Sequence, residues 1–193
     1  QCNCAYWHGV FGGLYLNYLR HAVYEHLIAA EKTIDKVIHG KAPFIELTVT
    51  DFDKDGLDEI LLSNDLISLY ISPSYGGSIF ELDYKPKNYN LIDTLARREE
   101  VYHKKLREAK EEKGELIKEA GTPSIHELAK GKEPSLEKDL YYDWYRRISL
   151  LDHFLSDSTD IEKFMRCTYE EAGDFIGKPF SHKGMRSGKE VII

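Results

Sequence analysis

The chain has 193 residues, 42% of them apolar and 31% charged, which is enough to bury a core as one domain or one domain plus a fragment. Its net charge of −7 and the lack of a basic stripe exclude a nucleic-acid footprint, and no apolar run approaches membrane-spanning length. Three cysteines cannot all pair within one chain, so a reduced, cytoplasmic setting is expected.

The chain opens on a dense group of polar and aromatic side chains, with Asn3, Tyr6, Trp7 and His8 close together, followed by Gly9, Gly12 and Gly13. Aromatic rings beside hydrogen-bonding groups suit a sugar site, because a ring covers the apolar face of a pyranose while amide and imidazole groups bind hydroxyls. Such a group sits where a chain usually frays, and there is no initiator Met. Residue 1 is therefore expected to be an interior residue of a longer protein. Cys2 and Cys4 form a Cys-x-Cys, but no second cysteine pair stands ready to complete a zinc site.

Leu16, Leu19, Val23, Leu27, Ala30, Ile34 and Val37 recur at three- and four-residue steps, one apolar face of a long helix with Gly40 as its C-terminal cap. Beyond Pro43 the period changes to two. Ile45, Leu47 and Val49 alternate with Glu46, Thr48 and Thr50, as in a half-buried strand. Strands are expected again at Ile60 to Leu62, Leu66 to Ile71 and Ser78 to Tyr84. The turns between them are Asp55 with Gly56, Asn64 with Asp65, and Pro73 to Gly77. This is an antiparallel meander, the start of a β-sandwich.

The first of these turns is acidic. Asp51, Asp53, Asp55, Asp58 and Glu59 surround Gly56 with the Asp-x-Asp-x-Asp-Gly spacing of a calcium loop, in which alternating carboxylates converge on one hard cation. The helix-loop-helix signature fails, since its twelfth position is Leu62 and the flanks are strands. Two readings stand: a structural Ca²⁺ site, and the favoured one, a plain solvated hairpin, because Asp and Gly suit such turns.

From Leu91 the pattern leads into a run dense in Glu and Lys, a solvated helical excursion. Ser124 and Glu127 have capping-box spacing and start a short helix. Leu140 to Leu155 is aromatic-rich and reads as strand or helix; Ile161 to Phe175 is mixed, and the tail from Ser181 has little pattern. Tyr141, Tyr142, Trp144 and Tyr145 read as core aromatics rather than a sugar-binding platform. Arg146, Arg147, Asp152 and His153 read as a structural ion-pair group. A sandwich needs more strands than these, so the C-terminus also looks cut.

Gln1, Cys2 and Asn3, then Ala5 to Gly9 and Phe11 to Gly13, resemble the fifth conserved region of glycoside hydrolase family 57, in its archaeal 4-α-glucanotransferase and α-amylase branch. The likeness continues through Leu19 to Ala22, Pro73 to Gly77, Ala96 to Arg98, Ser124 to Leu128, Tyr145 to Arg147 and Asp152 with His153, so it covers nearly the whole chain. It implies an α+β fragment: residues 1–40 as the end of a (β/α)₇-barrel catalytic region, then 41–193 as the first, incomplete part of an antiparallel β-sandwich with a helical excursion. It further implies a retaining enzyme acting on maltooligosaccharides or starch, with a glutamate nucleophile and an aspartate acid/base. No carboxylate here matches either position, so none is nominated as catalytic. Relatives carry Asp where this chain has Cys4, and a thiol is a weak substitute for a carboxylate accepting from sugar hydroxyls. Trp7, His8, Asn3 and Cys4 become the expected substrate contacts, although His8 equally suits orienting its neighbours and Tyr6 suits the core. Catalysis of this kind requires no cofactor. The expected partners are an α-glucan and a second copy of the chain in a homodimer, with no nucleic acid and no membrane. The alternative is a non-catalytic sandwich module that supports a barrel or binds carbohydrate.

Overall fold

A computed structural model describes residues 16–99, 103, 141–187 and 190–192. Helix α1 runs Asn17–His39, and its C-terminal cap is Gly40 at φ +65°, whose N–H donates to Lys36 O. That positive φ is what glycine tolerates and a side chain resists. Lys36 and His39 in the last turn complement the negative end of the helix dipole.

Five strands follow in sequence order as one antiparallel sheet: β1 (Ile45–Thr50), β2 (Glu59–Asn64), β3 (Ile67–Ser72), β4 (Ser78–Tyr84) and β5 (Tyr89–Asn90). The expected meander is therefore present. Thr50 pairs with Glu59, Leu62 with Leu69, and Leu69 with Leu82. The β2–β3 turn is set by Asn64, whose Oδ1 accepts from the backbone N–H of both Leu66 and Ile67 at 2.8 Å. At the β3–β4 turn, Pro73–Tyr75 forms a 3₁₀ turn, and Gly76 and Gly77 both take positive φ. A Cβ on Gly76 would stand 3.3 Å from Leu151, so bulk is excluded there as well as conformation.

The register sorts the sheet into two faces of opposite character. Leu47, Ile60, Leu62, Leu69, Ile71 and Leu82 share one face; Glu59, Ser63, Ser68, Tyr70, Glu81 and Asp83 share the other. Helix α1 lies on the polar face. It offers a polar stripe in return: Arg20, Tyr24, Ile28, Glu31 and Asp35, with Ile28 the only fully buried residue of the helix. The apolar stripe read from the sequence points elsewhere. Leu27, Ile34 and Val37 are exposed, Val37 by 81%.

Residues 141–180 pack as largely irregular chain against the β3–β4 turn and the start of β4. Leu140 to Leu155, expected as strand or helix, is neither over its described part; its regular contacts are the bridges Ile79 to Ser149 and Leu155 to Glu171. Helix α2 is short, Ile161–Arg166, with Asp160 Oδ1 accepting from Lys163 N at 2.8 Å and Cys167 closing it at φ +56°. The patternless tail holds an unexpected hairpin of β6 (Met185–Ser187) and β7 (Glu190–Ile192). Among the described residues the partner layers of the large sheet are α1, this irregular chain and the hairpin, not a second large sheet. The charged run at 104–140 and the expected helix at Ser124 lie outside the described residues.

Candidate functional site

The acidic turn joins β1 to β2 and follows the pairing of Thr50 with Glu59. That pairing brings Glu59 back beside Asp51 although eight positions separate them. Carboxylate oxygens of Asp51, Asp53 and Glu59 lie within 4.8 Å of one another. Glu59 is almost fully buried, and its Oε2 accepts from Phe52 N at 2.9 Å. The two other expected ligands do not join. Asp55 Oδ1 accepts from Leu57 N at 2.8 Å, so its carboxylate builds the turn, and Asp58 is exposed outside the group. Asp51 itself accepts from Asp55 N at 3.1 Å and from Gly56 N at 3.2 Å, which ties the loop shut without a ligand. Lys54 Nζ donates to Asp51 O, so the rim carries a cation of its own.

Beneath α1 lies a denser ionisable cluster that the sequence reading did not mark. Lys85, 1% exposed, donates from Nζ to Asp35 Oδ2 and to Ser63 Oγ, both at 2.7 Å, and lies 3.5 Å from Glu31 Oε1. Its ammonium also sits 5.4 Å from the centre of the Phe44 ring. Ser68 Oγ donates to Glu31 Oε1 at 2.6 Å. Glu81 and Asp83, two apart on β4, lie on the same face of the strand. Burial, then the charge of Asp83, pushes the Glu81 carboxyl up to about 8. Burial likewise raises Asp83, against the opposing pull of the neighbouring Glu81 carboxyl and of Lys85. Two buried acids side by side repel as carboxylates, which favours the protonated form of Glu81. The pair is not a glycosidase pair, because retention needs carboxyls about 5 Å apart across a scissile bond. The only signal for it in the sequence is two acidic residues at i and i+2 in a strand, a common pattern on solvated faces.

The aromatic run after residue 140 packs inward. Tyr145, Cys167 and Tyr169 are buried together, with Leu151, Phe164 and Ile176 against them. Trp144 meets Tyr145 and Tyr169 edge to face. The Arg97 and Arg166 guanidiniums lie over the Tyr141 ring at 5.8 and 4.9 Å, so its π face is engaged. The expected ion-pair group does not assemble as one. Arg147 pairs instead with Asp143 at 2.9 Å, His153 with Glu171 at 3.2 Å, and the Arg146 guanidinium lies over Phe80. Asp143 also accepts from Arg97 Nη2 at 2.6 Å; burial alone would raise its carboxyl, but the bonds from Arg97 and Arg147 hold it below the usual range. Asn3, Cys4, Tyr6, Trp7 and His8, the expected sugar contacts and their neighbour, lie outside the described residues.

The family model for the C-terminal region of alpha-amylase/4-alpha-glucanotransferase matches residues 51–192, and the model for the middle domain of the same proteins matches residues 1–34. The chain belongs to the alpha-amylase/4-alpha-glucanotransferase family. It is 40% identical over 191 residues to a 4-alpha-glucanotransferase of Thermococcus litoralis, covering 99% of this chain and 27% of that protein. It is 43% identical over 162 residues to alpha-amylase 1 of Dictyoglomus thermophilum, covering 84% of this chain and 22% of that protein. It thus spans about a quarter of the length of these curated relatives. The crystal structure of the Thermococcus litoralis 4-alpha-glucanotransferase matches with a TM-score of 0.70 at 36% identity, over 97% of this chain and 25% of that one. In family terms, the acidic turn opens the C-terminal region and most of α1 falls within the middle domain. None of the described helices is long and apolar enough to cross a membrane.

Proposed function

We propose that the chain supplies the end of the catalytic region, residues 1–40, and the first part of the β-sandwich, 41–193, of a retaining α-1,4-glucan-processing enzyme. That enzyme is a cytoplasmic 4-α-glucanotransferase or α-amylase acting on maltooligosaccharides or starch. The observation that carries the reading is identity of 40% sustained through 191 residues, across both family regions, to a protein named for that activity. Trp7 stacks on a sugar ring, Asn3 and His8 bind its hydroxyls, and Cys4 lines the same subsite with a weaker hydrogen-bonding group. The nucleophile and acid/base come from outside these positions.

The test uses maltoheptaose. The 193-residue chain is expected to bind it weakly, to lose that binding in Trp7→Ala, and to form no glycosyl-enzyme detectable by mass spectrometry. A covalent adduct would show that catalytic carboxylates are present here. Binding unchanged in Trp7→Ala would remove Trp7 from the substrate site.

The acidic turn adds a structural role to this reading. Asp51 and Asp53 in the β1–β2 turn and Glu59 at the start of β2 offer three hard oxygen ligands, which suits Ca²⁺. A cation bound only to the folded state stabilises it by about 2.7 kcal/mol at a hundredfold excess over Kd. The melting temperature should rise with calcium, and the rise should vanish in Asp53→Asn/Glu59→Gln. Identical melts in calcium and in chelator would leave the plain hairpin, which the Asp51 turn bonds already close.

A further inference from the structure

In the layer under α1, the contacts of Lys85 are spent on the helix. Its Nζ donates to Asp35 Oδ2 and to Ser63 Oγ and lies 3.5 Å from Glu31 Oε1. The acids of the strand are left without such a partner. Asp83 is 1% exposed, and its Oδ1 is buried with no hydrogen-bond partner among the described residues. Glu81 lies beside it on the same face of β4. Glu31, Asp35, Glu81 and Asp83 therefore crowd one lysine, and a buried carboxylate that lacks a cation takes up a proton instead. The groups facing Glu81 reinforce this: Asp83 on β4, Glu31 and Tyr24 on α1, and Tyr70 on β3, with Lys85 reaching it only through Asp83. Burial, then the charges of Asp83 and Glu31, push the Glu81 carboxyl up to about 8.

When that proton passes to solvent, the elements around it do not yield equally. β4 is paired with β3 along its length and with β5 at Asp83 and Tyr84, so the strand acids stay in place. Glu31 stands at the rim, with its side chain 29% exposed and held by Ser68 Oγ at 2.6 Å. A small movement of the helix carries it into water and relieves the repulsion, which is strongest where water is excluded. Apart from Ile28, the half of α1 around Glu31 and Asp35 has no fully buried residue to resist that movement. At the other end Asp93 accepts from Arg20 Nε at 2.7 Å and from Asn17 Nδ2 at 3.0 Å. We propose that α1 is a pH-sensitive hinge: loss of the proton held by the β4 acids lifts its C-terminal half, Ile28 to His39, off the sheet, while Arg20 and Asn17 keep its N-terminal half tied. The half that lifts contains residue 34, where the middle-domain match ends, so pH sets how firmly that region is joined to the sheet.

Amide exchange of the 193-residue chain, followed by mass spectrometry at pH 6, 7 and 8, tests the hinge. Rates are converted to protection factors, so that the intrinsic pH dependence of exchange drops out. Opening releases a proton between the unfolded value of about 4.3 and the folded one, so the closed helix is favoured in full below that window and loses ground as pH rises through it. Amides 28–39 should be less protected than amides 21–27 and those of β3 at each pH, and their protection should fall about tenfold per pH unit. In Glu81→Gln it should stay level and exceed that of the wild type at pH 8. Glu31→Gln, which removes the helix's share of the repulsion, should show a smaller fall than the wild type and decides the matter if the first variant does not fold. Protection of 28–39 equal to that of β3 or of 21–27 overturns the hinge, because the helix would then open with the sheet or as a whole. A wild type whose protection stays level, or a fall of the same size in the variants, overturns it too.

Discussion

Beneath α1 the sheet presents Ser63, Ser68, Glu81, Asp83 and Lys85, and the helix answers with Glu31 and Asp35. Around Cys167 the contacts are rings: Tyr145, Phe164 and Tyr169, with Leu151 and Ile176 filling in. Both regions exclude water, but they do so at different cost. The aromatic group gains from burial and asks only for complementary shape. The layer under α1 must desolvate charges, so its stability depends on every partner being present and on where the protons are. Its return is positional. Arg20 on Asp93, Glu31 on Ser68 and Asp35 on Lys85 fix the helix along its length, which a greasy contact would permit to slide.

The strongest way to break the contrast is Lys85→Met. The substitution keeps an aliphatic stem of similar length and removes a buried cation that faces Glu31, Asp35 and Asp83. Removing one partner from a buried ion pair costs about 3–5 kcal/mol, read by denaturant unfolding. Part of that loss should return at lower pH, as the orphaned carboxylates take up protons. A loss under about 1 kcal/mol would mean that the layer is wetter than its burial indicates. In the other region, Phe164→Leu should cost only about 1 kcal/mol, because a hydrophobic swap of reduced volume leaves no polar group unpaired. Its effect should be the same at low and neutral pH, and a pH-dependent loss would erase the distinction between the two cores.

The parts of this arrangement that could be read from sequence are those written locally. Alternation in β1, the Asn64 turn and the Pro73 to Gly77 turn each act within a few residues; both turns stand in the structure, and the alternation holds from Ile45 to Thr48 before Val49 turns out exposed. The inner face of α1 could not be read that way. The sequence shows its apolar stripe clearly, but the stripe that packs is chosen by Ser68, Lys85 and Asp93, far along the chain. The hairpin at Met185–Ser187 and Glu190–Ile192 is too short for alternation to register. In the acidic turn, spacing marks Asp51 and Asp53, and strand pairing delivers Glu59. Spacing fails for Asp55, because a turn residue that caps Leu57 looks the same in sequence as a ligand.

The central claim is that burial and the neighbouring acids keep Glu81 protonated in the layer under α1, and the pH dependence of melting tests it most directly. In the folded chain Glu81 keeps its proton to about pH 8. An unfolded glutamate releases it at about 4.3. Between those values the folded state binds more protons, so stability is full below the unfolded value and is lost as pH rises toward the folded one. The groups facing Glu81 include Asp83 on its own strand, Glu31 and Tyr24 from α1 and Tyr70 on β3, with Lys85 acting on the pair through Asp83. Melting temperatures of the wild type and Glu81→Gln should therefore be recorded from pH 5 to pH 9. The account predicts a wild type that loses several degrees across that range and a variant that stays nearly level and melts higher at the alkaline end. A wild type as flat as the variant, or two curves falling in parallel, would contradict it.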